Sequence, residues 1–362
     1  MTISESDMFN TQTFKYAIEG IFMTTVLIFG LIGNSLSIYI LRDKEVRLQQ
    51  ILIEVLCSLS VFDNLFLVGA FLLFSLPHLC TPYAEYDFQL IAPYLYPITN
   101  TLLTCSSYMT VAVAVNRYIL VKQLNSPETK KYFCNGYYQA VVVLLTAICV
   151  NIPRWFEFSC CKTKVINSDI ANELSDGLIK TNTTKIYSVI NPIRDQYEYI
   201  RDYTLISSNV LTLLLPMILM AIFSGLVYLE MRKSSAFFTR PLDDGELDGQ
   251  EKRNNSLTFM LIGIIILFII CRIGELGISV FELIMIIREG NRKAFPDYIR
   301  AMISINTLLL VCNSSFNFII YNRDALFRKC FLRLYYLMAS ALRKKELRIQ
   351  EHEEITLQDI KA

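Results

Sequence analysis

The chain has 362 residues, of which 53% are hydrophobic and only 19% charged, with a formal net charge of +1. Soluble globular domains carry about 25% charged residues, and a near-neutral chain lacks the basic surplus that marks a nucleic-acid binder. Charge is confined to short islands with apolar blocks between them, which excludes an ordinary soluble domain and points to the bilayer.

A hydrocarbon core of about 30 Å takes roughly 20 apolar residues in a helix. Seven blocks reach that length, at 17–41, 51–76, 92–121, 137–158, 203–229, 256–287 and 298–321. The fold class expected is an all-α membrane protein, a seven-transmembrane helix bundle over 17–322. An extracellular N-terminus at 1–16 precedes it, and a short cytosolic amphipathic helix at 323–336 and a cytosolic tail at 337–362 follow. The opening "MTISESDMFNTQTFKY" has no basic n-region and no short apolar h-region, so the first block is expected to act as the signal anchor. Lys15 alone precedes that block, whereas Arg42, Lys44 and Arg47 follow it. The positive-inside rule then places the N-terminus outside and the C-terminus in the cytosol of a multi-pass plasma-membrane protein. On the outer side, "NTT" at Asn182 offers a glycosylation acceptor in the 159–202 loop. One disulfide from Cys80 to Cys160 or Cys161 is expected there. On the inner side, Cys330 lies in a basic amphipathic stretch and offers a palmitoylation site.

Polar side chains inside spans face the bundle interior or water and mark function by default. Asp63 lies near the middle of the second span. Ser106, Thr110, Val113 and Arg117 share one face of the third, and Asn306, Leu310, Asn313, Asn317 and Tyr321 one face of the seventh. Such an oxygen cluster suits either a small hard cation such as sodium or a plain interhelical hydrogen-bond network. The sixth span carries Arg272, Glu275, Ser279 and Glu282 on one stripe. That stripe is either a pocket for a cationic ligand or a self-neutralising Arg272–Glu275 pair with Glu282 left over. No enzyme is expected. His78 and His352 have no nucleophile or metal set nearby in sequence, no Gly-rich phosphate loop is present, and the acidic cluster at Asp243, Asp244, Glu246 and Asp248 lies in the solvated loop 241–251.

The motifs resemble those of the rhodopsin-like G-protein-coupled receptors over roughly 17–335. They are "GNSL" with Asn34, "LSVFD" with Leu59 and Asp63, "NRY" at Asn116, Arg117 and Tyr118, and Pro216 in the fifth span. "FIICRIG" follows with Phe268 and Cys271, then "NSSFNFIIY" with Asn313, Ser314, Asn317 and Tyr321, then Phe327 where an amphipathic helix begins. "NIPRWFEF" at 151–158 and "NSSFNFIIYN" are most similar to invertebrate FMRFamide-type neuropeptide receptors, with thyrotropin-releasing-hormone receptors as neighbours. The resemblance implies a peptide ligand ending in Arg-Phe-amide, whose arginine would seek Glu275 or Glu282. It implies a heterotrimeric G protein meeting Asn116, Arg117, Tyr118 and Tyr321, and membrane lipid around the bundle. It also implies an allosteric sodium ion at Asp63, held with Asn34, Ser106, Asn313 and Asn317, and no other cofactor. Arg117 becomes the cytosolic element that an agonist biases from the far side.

The chain departs from that pattern at several positions. Asn116 replaces the acid before the arginine, and Asn254 stands where an acid is common in the sixth span, so raised basal activity is expected unless another contact compensates. Gly274 replaces a proline, and Arg272 stands where a tryptophan is usual, so that Asp63 has two alternative counter-charges, sodium or Arg272. Phe318, Ser224 and Val143 replace a proline, a tyrosine and a tryptophan, and Ala92 replaces the usual disulfide cysteine. The alternatives carried are a receptor of the same fold for a small acidic or lipid-like signal, a weakly coupling decoy, and a transporter. No internal repeat supports the last.

Overall fold

The computed structural model describes residues 12–43, 50–125, 135–166, 182–190, 199–237, 266–281, 297–322 and 327–336, with 263, 284, 340 and 343 standing singly. Among the described residues six helices are long and apolar enough to cross a membrane. They are α1 (Gln12–Leu41), α2 (Gln50–Leu79), α3 (Phe88–Asn125), α4 (Gly136–Asn151, continued by a 3₁₀ stretch Ile152–Phe156), α5 (leading in through wide turns at Ile200–Ser208 and Val210–Leu214 to Leu215–Phe237) and α7 (Asp297–Ser315, resuming at Asn317–Tyr321). The sixth, α6, is described over 266–281, and a short α8 covers 327–336. The bundle is that of a multi-pass membrane protein, as the apolar spacing predicts.

α3 is the central post, packed against α2, α4 and α5, while α1 touches α2 and α7. The helices begin earlier than hydropathy alone suggests: α1 at Gln12, and α3 at Phe88 with Pro93 and Pro97 inside it. Wide i→i+5 turns at Tyr16–Phe22 and Phe71–Ser75 relax the ladders of α1 and α2. One apolar core sits where α1, α2 and α8 meet, built on Ile40, Leu56, Leu59, Met109 and Phe327. A second, on Met23, Leu27, Leu67, Leu103 and Val311, fills the other end.

Among the described residues the one departure from helix as regular structure lies between α4 and α5. β1 (Phe158–Ile166) and β2 (Asn182–Ile190) pair antiparallel, from Phe158 opposite Ile190 to Ile166 opposite Asn182. "NTTKIYSVI" is dense in β-branched and aromatic residues, which favour a pleated strand. This end of the bundle is called the hairpin end below. At the opposite end α1 stops at Leu41 and α3 at Asn125.

Candidate functional site

At mid-bundle Asp63 on α2 is fully buried. Ser106 Oγ of α3 donates to its Oδ1 at 2.6 Å, and Asn317 Nδ2 of α7 donates to its Oδ2 at 2.7 Å. Asn34 Nδ2 on α1 donates to the Ser314 carbonyl at 3.0 Å. Three helices thus converge on one buried carboxylate, and α1 joins them through the Ser314 backbone. Asn313 is also buried, one helical turn before Asn317. The donor set is compatible with sodium: one carboxylate plus buried oxygens, of which Asn34 Oδ1 lacks a hydrogen-bond partner among the described residues. No group of three His, Cys, Asp or Glu residues suited to a multivalent metal occurs among the described residues.

Arg272 does not reach that carboxylate. Its Nη2 bonds Ser107 Oγ of α3 at 2.5 Å and its Nη1 pairs with Glu275 Oε2 at 2.6 Å. Among the described residues no ion pair joins Arg272 to Asp63. Ser106 and Ser107 are neighbours, but successive residues on a helix point about 100° apart. The two serines therefore divide two separate polar sites between them. Of the two alternative counter-charges for Asp63, Arg272 is not in place among the described residues, and the Arg272–Glu275 pair of the sixth-span stripe is formed.

Arg272 is only 1% exposed and Glu275 24% by side chain. The arginine also lies over the Phe268 ring, 5.3 Å from its centroid. Nearer the hairpin, Ser279 Oγ donates to Asn209 Oδ1 of α5 at 3.3 Å. Glu282 lies outside the described residues. Gly274 allows α6 to approach α7: a Cβ there would stand 2.7 Å from Asn306 Oδ1. The proline expected by resemblance at this position would occupy that space.

A second cationic cluster went unread in the sequence. Arg154, at the end of α4, donates to Tyr96 OH at 3.2 Å and to Ser208 Oγ at 2.8 Å, tying α4 to α3 and α5. Close by, Tyr199 OH donates to Oε1 of the buried Glu157 at 3.1 Å. Burial first, and then the Glu157 charge, push the Tyr199 hydroxyl well above the ordinary phenol range, so it remains a donor. The sequence signal was a charge at a span end, inside "NIPRWFEF".

At the opposite end Arg117 is 1% exposed and Asn116 4%. Asn116 is held by a contact invisible in sequence. Its Nδ2 donates to Gln139 Oε1 of α4 at 2.7 Å, and Gln139 Nε2 donates back to Asn116 Oδ1 at 3.3 Å. Glu54 of α2 adds a second clamp, accepting from Gly136 N at the start of α4 at 2.9 Å. Tyr118 packs on Phe223 of α5, ring centroids 6.0 Å apart, and the buried Tyr321 lies against Phe327 of α8 at 6.1 Å.

His78, unpartnered in the sequence reading, bonds Glu19 of α1 at 2.8 Å, and Ser304 of α7 donates to the same carboxylate. The serine hydroxyl bonds the carboxylate and not the imidazole, so this is not a nucleophile–base pair. Cys330 is 6% exposed and packed into the core beside Phe327, so its sulfur faces the bundle and not the lipid an acyl chain would enter. Cys80 is half-buried and takes part in no disulfide among the described residues. The side chains of Cys160, Cys161 and Asn182 lie outside the described residues, as does Asn254.

A seven-helix membrane bundle with a buried Asp63 network and Arg117 at its opposite end is the class of a serpentine receptor. The family described as "Serpentine type 7TM GPCR chemoreceptor Srw" matches residues 21–322, and the chain belongs to that family. Its relatives include the FMRFamide receptor of Drosophila melanogaster, 24% identical over 337 residues, covering 90% of this chain and 54% of that receptor. The chain therefore spans about half of that relative's length. Two Caenorhabditis elegans proteins are similar: the probable G-protein coupled receptor frpr-1, 24% identical over 335 residues (86% of this chain, 76% of the relative), and the FMRFamide peptide receptor frpr-18, 25% identical over 311 residues (82% and 64%).

Proposed function

We propose that the chain is a plasma-membrane receptor for a neuropeptide of the Arg-Phe-amide type, activating a heterotrimeric G protein. The observation that carries the reading is Glu275, a partly exposed carboxylate inside the bundle on the hairpin side of Asp63. A guanidinium is its natural counter-ion, because the planar fork matches a carboxylate. The FMRFamide receptors among the relatives support a peptide of that chemistry. Arg117, Tyr118 and Tyr321 sit at the other end, where the basic Arg42 and α8 favour the cytosolic side. A peptide at one end and a G protein at the other then couple through the packed helices. A small acidic signal is the second reading, and Arg154 is the observation that favours it.

Where sodium binds, Asp63 and Ser106 would hold it with the seventh-helix polar groups, and the ion would supply positive charge against Asp63. On that reading sodium raises the thermal stability of the purified wild type above a choline control and does nothing for Asp63→Asn. Equal stabilisation of both would remove the ion from this site.

The ligand reading is tested by G-protein activation in cells given Arg-Phe-amide peptides and their free-acid forms. A charge-assisted bond contributes about 1.5–3 kcal/mol, so Glu275→Gln should cost roughly 10- to 100-fold in potency. Response to neither form, at verified surface expression, would discard the peptide.

A further inference from the structure

We infer that Arg272 is a resident competitor for the carboxylate that the ligand's cation takes, and that its displacement from Glu275 is the event that switches the sixth helix. The inference rests on the receptor reading above and deepens it by naming how the ligand charge is read.

The geometry is asymmetric. The guanidinium is almost wholly buried, and the carboxylate is a quarter open. Glu275 Oε2 holds Arg272 Nη1 at 2.6 Å. Glu275 Oε1 takes no hydrogen bond among the described residues. A carboxylate has about four acceptor sites and can receive a second guanidinium. A ligand arginine arriving from the hairpin end meets that open oxygen first. It can then bind both oxygens in the fork geometry, whereas Arg272 offers Glu275 a single nitrogen. The free ligand cation therefore has the better contact to offer.

Arg272 is poorly provided for once Glu275 leaves. Among the described residues its Nε already lacks a hydrogen-bond partner, and its Nη2 keeps only the neutral hydroxyl of Ser107. The Phe268 ring face remains a weak partner at 5.3 Å. A buried charge stripped of its counter-ion is strongly disfavoured. The helix that carries Arg272 has to turn or shift to rehydrate it, and the Ser107 bond that ties α6 to α3 gives way. Ligand charge is thereby converted into α6 displacement, a two-state response biased by differential binding. The pair also sets specificity. A neutral ligand cannot displace Arg272 from Glu275, so the site demands a guanidinium or ammonium group.

The test compares Glu275→Gln, Arg272→Gln and the double variant, at equal surface expression, for ligand-free G-protein activation. Glu275→Gln should raise the ligand-free signal roughly tenfold by stranding Arg272. In the Arg272→Gln background the same change should add nothing, because no charge is left to strand. A flat signal in Glu275→Gln, or an equal rise in both backgrounds, overturns the switch. Should Arg272→Gln fail to reach the surface, Glu275→Gln alone decides.

A second arm uses Phe-Met-Arg-Phe-amide and its citrulline analogue, which keeps the shape and loses the charge. Wild type should prefer arginine, Glu275→Gln should lose the preference, and Arg272→Gln should bind the arginine peptide about tenfold more tightly with the citrulline peptide unchanged. An unchanged arginine affinity in Arg272→Gln overturns the competition. If both peptides are inert on wild type, the peptide reading fails, and the ligand-free comparison still decides the switch.

Discussion

Gly30→Val is expected to remove the receptor from the cell surface, while Gly225→Val leaves it there. A Cβ at Gly30 would stand 2.7 Å from Leu67 Cδ1 and 2.7 Å from Ser315 Cβ. Carbon atoms rest at about 3.5–4.0 Å. Neither neighbour is free to move: Leu67 is fully buried in a core and Ser315 is fully buried on α7. Helix α1 must therefore retreat from α2 and α7. Overpacking of this kind costs about 1–3 kcal/mol. The retreat also strains the Asn34 bond to the Ser314 carbonyl, 3.0 Å long and one turn along α1, and an abandoned buried amide adds about 1–3 kcal/mol. Together these are a large share of a typical stability of about 5–15 kcal/mol. Gly225 is the matched control, since nothing lies within 4 Å of its would-be Cβ. Surface labelling of intact cells, with melting of the solubilised protein, reads the difference. Equal labelling of the two variants would mean that α1 does not approach α7 closely in the folded receptor.

Helices and inward faces were legible before any coordinates; partners were not. Apolar length alone locates seven spans, because a bilayer tolerates few alternatives to a helix. Helical spacing alone turns Ser106, Thr110, Val113 and Arg117 inward, and all four are buried. Pairing across helices depends on rotation and axial offset, which no single span encodes. Gln139 meets Asn116 across 23 residues, Glu54 meets Gly136 across 82, and Arg272 meets Ser107 across 165. Arg272 illustrates the limit. Its face and its Glu275 partner follow from spacing along one helix, but its Ser107 partner does not, because one residue of difference between Ser106 and Ser107 separates two sites. Cys330 shows the same limit: a basic stretch announces an amphipathic helix, and only the structure shows that α8 turns Phe327 and Cys330 to the core and leaves Arg328 and Lys329 outside. Charge and a glycosylation motif in the 159–202 loop do not announce the hairpin; its signal is the β-branched run "NTTKIYSVI".

Gln139→Leu is expected to raise ligand-free signalling roughly tenfold per receptor at the surface. Sequence alone suggested that Asn116, lacking the acid's charge, leaves Arg117 loosely restrained. The reciprocal amide pair is the compensating contact. Two hydrogen bonds, 2.7 and 3.3 Å, fix Asn116 to α4, and a third ties its Nδ2 to the Ala112 carbonyl at 2.7 Å. Leucine at 139 removes both interhelical bonds and leaves the Asn116 amide, 4% exposed, short of partners at about 1–3 kcal/mol. A shift of about 1.4 kcal/mol between two conformations is tenfold in population. The cost falls on the packed state, in which α4 holds α3, and favours the state in which that end opens around Arg117. Gln139→Glu keeps an acceptor for Asn116 Nδ2 but loses the return donor, so an intermediate rise is expected. Asn116→Asp in the Gln139→Leu background should bring the signal back down. The carboxylate, freed from the Gln139 amide, can then pair with the adjacent Arg117 charge. A loss of surface expression in Gln139→Leu with unchanged signal per receptor would reduce the amide pair to packing. A rise that Asn116→Asp fails to reverse would place the restraint on Arg117 elsewhere.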